Sequence, residues 1–121
     1  MSDERNQLGA VGESHAEHYL RKKGYEIVEK NYRCRFGEID LIAKHKEYLV
    51  FVEVKTRKNG SKINPLISLT KKKQKKILQL GQYYLVTNKI SRDQPRFDVI
   101  TVLEGVEGCN KVEHIINAFT A

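Results

Sequence analysis

The sequence has few cysteines, no excess of acidic residues and no long apolar run, and each absence narrows what the chain can be. Its two cysteines, Cys34 and Cys109, are far apart in sequence, and a reducing compartment would leave them as thiols with no assigned chemistry. The histidines at 15, 18, 45 and 114 have no Cys or His spacing typical of a zinc site. No stretch is apolar enough to span a bilayer, and no long basic amphipathic anchor is present, which argues against a membrane partner. Met1 to Asn6 are polar and of mixed charge, without the apolar core of a secretory signal, so a cytoplasmic location is expected. There are no repeats and no low-complexity segment.

What is present is basic charge. The chain has 22 Lys and Arg against 15 Asp and Glu, a formal +7 in 121 residues. A polyanion is therefore the natural partner, and nucleic acid is the leading candidate. With 40% hydrophobic and 31% charged residues, the sequence has the composition of one ordinary globular domain over 1–121. A chain of this size buries about two-thirds of its unfolded surface.

Leu8, Val11, Tyr19 and Leu20 recur at helical spacing between Glu4 and Lys23, and Gly24 stands where a helix commonly stops. Tyr25 to Lys30 follows as a short strand, leading into a polar segment, Asn31 to Gly37. Glu38–Lys44 and Tyr48–Arg57 are stronger strands, separated only by His45 to Glu47, which predicts a hairpin. Lys58 to Pro65, with Gly60 and Pro65 as breakers, is expected to be a mobile loop. A second helix is predicted from about Thr70 to Thr87, with Ile77, Leu80, Gly81 and Tyr84 on its apolar face. Pro95–Leu103 and Val112–Ile116 complete the strands. This order implies an α/β fold, with a mixed sheet flanked by helices.

Within Tyr48–Arg57, Leu49, Phe51, Glu53 and Lys55 share one face of the strand. A carboxylate in the run V-F-V-E-V needs a partner or a metal. If Leu49 pairs with Lys44, Asp40 lies opposite Glu53 with their Cβ atoms about 5 Å apart. Two such carboxylates repel unless a cation sits between them, and carboxylates plus waters are the usual protein contribution to a Mg²⁺ site. Lys55 would then orient or help deprotonate a water attacking a phosphodiester. The plainer alternative is a simple Glu53–Lys55 ion pair.

The motifs G-E-I-D-L-I-A (Gly37–Ala43), F-V-E-V-K-T-R (Phe51–Arg57), G-E-x-x-A-x-x-Y-L (Gly12–Leu20), Gly24-Tyr25, Asn31 and R-F-D-V (Arg96–Val99) cover most of the chain, and together they resemble the YraN-like family of small bacterial proteins. That family is in turn similar to restriction-endonuclease-like nucleases, including archaeal Holliday-junction resolvases, whose PD-(D/E)xK signature binds Mg²⁺ and cuts DNA. The resemblance implies a three-layer restriction-endonuclease-like core, with Asp40 as the motif aspartate, Glu53 as the second acid and Lys55 as the lysine. It also implies a Val54 carbonyl on a Mg²⁺ or Mn²⁺ ion. Glu13 matches an acidic residue that relatives carry on the first helix; by helical geometry it either reaches this site or is a solvated charge. The proline that often precedes the aspartate is Ile39 here, and the loop Lys58 to Asn64 lacks the Phe-Gly expected of YraN-like relatives.

Lys71, Lys72, Lys73, Lys75 and Lys76 crowd a predicted helix start, where the helix dipole disfavours cations. With Arg57, Lys58 and Lys62 they are candidate phosphate contacts. A structural ion pair is expected between Arg96 and Asp98, and Glu38 is a spare ligand candidate. The function implied is a metal-dependent endonuclease acting on DNA, with branched or damaged DNA among the candidate substrates. The alternatives are a nucleic-acid-binding module without turnover and an adaptor whose charges only solubilise it. Cleavage of both strands would favour a homodimer.

Overall fold

The computed structural model describes residues 2–58, 69–104 and 111–120, with side chains described for 11–57, 69–103 and 111–120. The elements are α1 (Ser2–Lys22), β1 (Glu26–Cys34), β2 (Gly37–His45), β3 (Tyr48–Lys58), α2 (Lys71–Thr87), β4 (Gln94–Glu104) and β5 (Lys111–Ile115). The strands form one five-stranded sheet in the order β1-β2-β3-β4-β5. Neighbours pair antiparallel except β3 with β4, which are parallel. Parallel neighbours need a crossover, and α2 lies in that connection.

The sheet is covered on both faces, which is why its central strands carry unbroken apolar runs. On one face Ala16 and Leu20 of α1 pack with Leu41, Val50, Val52, Ile100 and Val102. On the other, Ile77, Leu80 and Tyr84 of α2 pack with Ile42, Phe51, Phe97 and Val99. The result is an α/β fold of a mixed sheet between two helices among the described residues, consistent with the expected three-layer restriction-endonuclease-like core. None of the described helices is long and apolar enough to cross a membrane.

Two glycines allow the helices to approach the sheet. A Cβ on Gly12 would lie 2.0 Å from Thr56 Oγ1, so α1 sits against β3 at this point. A Cβ on Gly81 would lie 2.8 Å from the Phe97 ring, so α2 sits equally close to β4. At the start of α2, Thr70 caps the helix, its hydroxyl accepting from the Lys73 N–H at 3.2 Å. Gly24, at φ +91°, ends the turn after α1, where the Tyr25 N–H donates to the Leu20 carbonyl.

The polar segment Asn31 to Gly37, expected to follow a short strand, proves to be largely strand. β1 continues to Cys34, pairing Tyr32 with Ile39 and Arg33 with Glu38. An edge strand can carry solvent-facing polar side chains because its pairing uses the backbone, which composition does not reveal. The register shifts between Ile27 and Glu29, and Asn31 takes a left-handed conformation at φ 53°. The β2–β3 hairpin has the predicted Lys44–Leu49 pairing, and a further His45–Tyr48 pair shortens its turn to Lys46 and Glu47. Lys62 and most of the expected loop lie outside the described residues.

Arg96 and Asp98 form the predicted ion pair, at 2.9 Å, as part of a larger buried network. Asp98 is fully buried and accepts from Arg96 Nε, His114 Nε2 and the Asn117 N–H, while Arg96 also donates to the Tyr25 hydroxyl. Burial alone would raise the Asp98 pKa, but these donors bring it below the ordinary value. The network ties β4 to Tyr25 just before β1, to β5 through His114 and to the chain beyond it.

Candidate metal and nucleic-acid site

The β2–β3 register, continued one step past its Leu41–Val52 pair, carries Asp40 opposite Glu53. At this point a side chain takes over from the backbone: Asp40 Oδ2 accepts the Val54 N–H at 2.8 Å. The strand alternation also breaks here. Residues two apart in a regular strand share a face, yet Leu41 packs in the α1-side core and Ile39 in the α2-side core. Asp40 therefore stands at a kink, opposite the segment in which Asn31 is left-handed, and meets groups from both layers.

Those groups are mostly acidic. The Asp40 carboxyl is pushed up to about 7, first by burial and then by Glu53, with the Val54 N–H opposing and Glu13 and Glu38 adding to the rise. Glu13, on α1, is raised by burial and by Glu38 and Glu53, while its hydrogen-bonding neighbours Asn31 and Asp40 act in the opposite direction. Of the two sequence-based readings of Glu13, the structure favours proximity to Asp40. Glu38, by contrast, is exposed and paired with Arg33 at 3.0 Å.

Two lysines converge on the other carboxylate. Glu53 Oε1 lies 3.4 Å from Lys55 Nζ and 3.3 Å from Lys73 Nζ, so the simple Glu53–Lys55 pair is in fact a triad. Lys55 is lowered from its ordinary value by burial and by Lys73, against the pull of Glu53. Burial also disfavours charge on Lys73, but its contacts with Lys55 and Glu53 outweigh this and raise it.

The carboxylates open into a cleft of about 380 Å³ between the start of β2 and α2. Lys72, Lys73 and Lys76 line its α2 side, with Ile77 and Leu80 deeper along the same helix. Two opposed carboxylates and nearby backbone are hard oxygen donors, suited to Mg²⁺ or Mn²⁺ rather than to a soft metal. The raised Asp40 pKa marks negative charge that a cation would relieve. Among the described residues no group of three or more His, Cys, Asp or Glu side chains is arranged to hold a metal, so water would have to complete such a site.

The chain matches the uncharacterised protein family UPF0102 over residues 12–102, from Gly12 on α1 to Val102 on β4. It belongs to that family. A UPF0102 protein of Caldanaerobacter subterraneus subsp. tengcongensis is 46% identical over 117 residues, covering 95% of this chain and 96% of the relative. A UPF0102 protein of Desulfosudis oleivorans is 46% identical over 121 residues, covering 100% and 96%. A third, from Alkaliphilus oremlandii, is 47% identical over 115 residues, covering 93% and 97%. The YraN-like family expected from the motifs is thus the one found.

The matched UPF0102 region holds Glu13, Asp40, Glu53, Val54 and Lys55 together with the α2 lysines. Sequence reasoning grouped Lys73 with the phosphate contacts and missed its ion pair with Glu53. Spacing along one helix cannot show which lysine crosses to a strand 20 residues earlier. Lys71 and Lys75 are exposed on α2 but are not among the residues lining the cleft. Arg57 is half-buried near the end of β3, and its Nε is buried without a hydrogen-bond partner among the described residues. The Lys58 side chain, like Lys62, lies outside what is described.

Proposed function

We propose that this UPF0102 protein is a metal-dependent endonuclease that hydrolyses phosphodiester bonds in DNA, acting in the cytoplasm. The observation that carries this reading is the convergence of Asp40 and Glu53 at the floor of a cleft whose α2 side carries lysines. Asp40, Glu53 and the Val54 carbonyl would hold Mg²⁺ or Mn²⁺. When bound, the ion supplies Lewis-acid activation and charge neutralisation at the phosphate.

The protein's own groups do the rest. Lys55, with its lowered pKa, orients the attacking water and offsets charge building on the phosphate. Lys73, which stays protonated beside it, meets the phosphate from the α2 side. Val54 fixes the Asp40 carboxylate through its N–H, and Glu13 borders it from α1. Lys72 and Lys76 hold the nucleic-acid backbone at the rim.

The test is cleavage of single-stranded, duplex and branched DNA with Mg²⁺, Mn²⁺ or EDTA, comparing the natural protein with Asp40→Ala, Glu53→Ala and Lys55→Ala. Metal-dependent cutting lost in all three variants is expected. Binding without cutting by any of the proteins would support the second reading, a nucleic-acid-binding module without turnover. One observation favours that alternative: both lysines contact the same Glu53 oxygen, which balances its charge without a metal. Two-strand cleavage would further require a homodimer, and sedimentation in the presence of duplex DNA tests it.

A further inference from the structure

The cleft beside the carboxylates has a second part of different character. Ile77 and Leu80 form an aliphatic wall, and Gly37 stands close to it with no side chain of its own. A Cβ at Gly37 would lie 3.4 Å from Leu80 Cδ1 and 3.5 Å from Lys76 Cε. On α2, residues 73, 76, 77 and 80 follow helical spacing, so the lysines stand at the mouth of the strip and the aliphatic residues lie deeper. A groove that held phosphates alone would need the lysines but no apolar interior. A nucleotide has both a charged and an apolar part.

We infer that this part of the cleft receives one unpaired base of the bound strand, while Lys72, Lys73 and Lys76 hold the flanking phosphates. The inference rests on the reading of the Asp40–Glu53 cleft as a nucleic-acid site and adds the class of substrate. A paired duplex presents phosphates, sugars and groove edges, and its base faces stay within the stack. A cleft of about 380 Å³ has room for one base. Extruding a base from a duplex costs unpairing and unstacking energy, and least where the base is already unpaired. Strand ends, bulges and branch points are therefore favoured over perfect duplex. Glu38 and Glu53 line the same cavity and are acceptors for the exocyclic amino group of adenine or cytosine.

The test uses the full chain in EDTA, so that no cleavage is needed. 2-Aminopurine, an adenine analogue whose fluorescence is quenched by stacking, is placed at a single-nucleotide bulge and, separately, in the matching full duplex. Binding is followed independently by the anisotropy of a dye at the far end. The described residues lining the cavity include no aromatic ring to quench the probe. A several-fold rise in fluorescence is expected for the saturated bulge and none for the duplex.

Lys76→Phe should abolish the rise by filling the cavity, whereas Lys76→Ala, with the same loss of charge, should weaken binding but keep the rise at saturation. Lys72→Phe and Lys72→Ala provide a second pair should the first phenylalanine variant fold poorly. No rise at saturation, or identical behaviour of the Phe and Ala variants, overturns the inference. Base capture without cleavage would leave it standing while the nuclease reading fell, and cleavage without base capture would remove it alone.

Discussion

Replacing Asp40 by Asn should stabilise the metal-free protein at the expense of its proposed activity. The carboxyl titrates at about 7 instead of 3.8, because burial and the neighbouring acids Glu53, Glu13 and Glu38 disfavour its charge. A group whose folded pKa is raised binds its proton more tightly in the native state, so stability is full below pH 3.8 and falls as pH rises to about 7. That displacement corresponds to about 4 kcal/mol as a ceiling. Solvent at the open side of the cleft and the nearby lysines reduce the expected effect to about 1–3 kcal/mol. Asn keeps an oxygen to accept the Val54 N–H, so the hairpin should not lose that bond.

The assay is urea unfolding in EDTA at pH 5 and pH 8 for the natural protein and Asp40→Asn. At pH 8 the variant's midpoint should lie higher by roughly 0.5–2 M, and the gap should narrow at pH 5. Other titrating groups, such as His45 and Asp98, are common to both proteins and drop out of the difference. Adding Mg²⁺ should raise the midpoint of the natural protein and leave the variant nearly unchanged. A variant no more stable than the natural protein at pH 8, or a gap that does not depend on pH, would refute the account of Asp40 as an uncompensated buried charge.

Asp98→Ala should destabilise by about 3–5 kcal/mol in chemical denaturation, because it leaves the buried Arg96 without its charge partner. Gly12→Ala should cost about 1–3 kcal/mol by the same measurement, since the new Cβ would collide with Thr56 Oγ1 and push α1 off β3; cleavage should fall as well, because Glu13 moves with it. Combined Lys72→Ala, Lys73→Ala and Lys76→Ala should reduce the slope of log K against log salt for duplex binding by roughly 2–3, and an unchanged slope would show that these lysines do not meet phosphate.

Much of this molecule was legible in the order of its residues. The apolar runs of β2, β3 and β4 marked strands buried on both faces, and the short gap between Lys44 and Leu49 set a register that brought Asp40 to Glu53. Side-chain alternation is strictly local, so once a tight turn fixes the pairing, the facing residues follow from counting. The α2 face of Ile77, Leu80, Gly81 and Tyr84 was fixed in the same way by helical periodicity. The motifs also sufficed to indicate the family to which the chain belongs.

Other features belong to the tertiary structure alone. That β1 runs on to Cys34 depends on backbone pairing with β2 and on Tyr32 and Cys34 packing against the α2-side core, neither of which the polar composition of the stretch reveals. The break in alternation at Asp40 arises where β2 meets an irregular edge strand, and it lets one carboxylate feel both Glu13 on α1 and Glu53 on the neighbouring strand β3. Lys73 reaches Glu53 only because α2 packs closely, with Gly81 against the Phe97 ring. Local periodicity determined which residues share a face. Which faces meet, and how closely, was decided by the packing of layers that are distant in sequence.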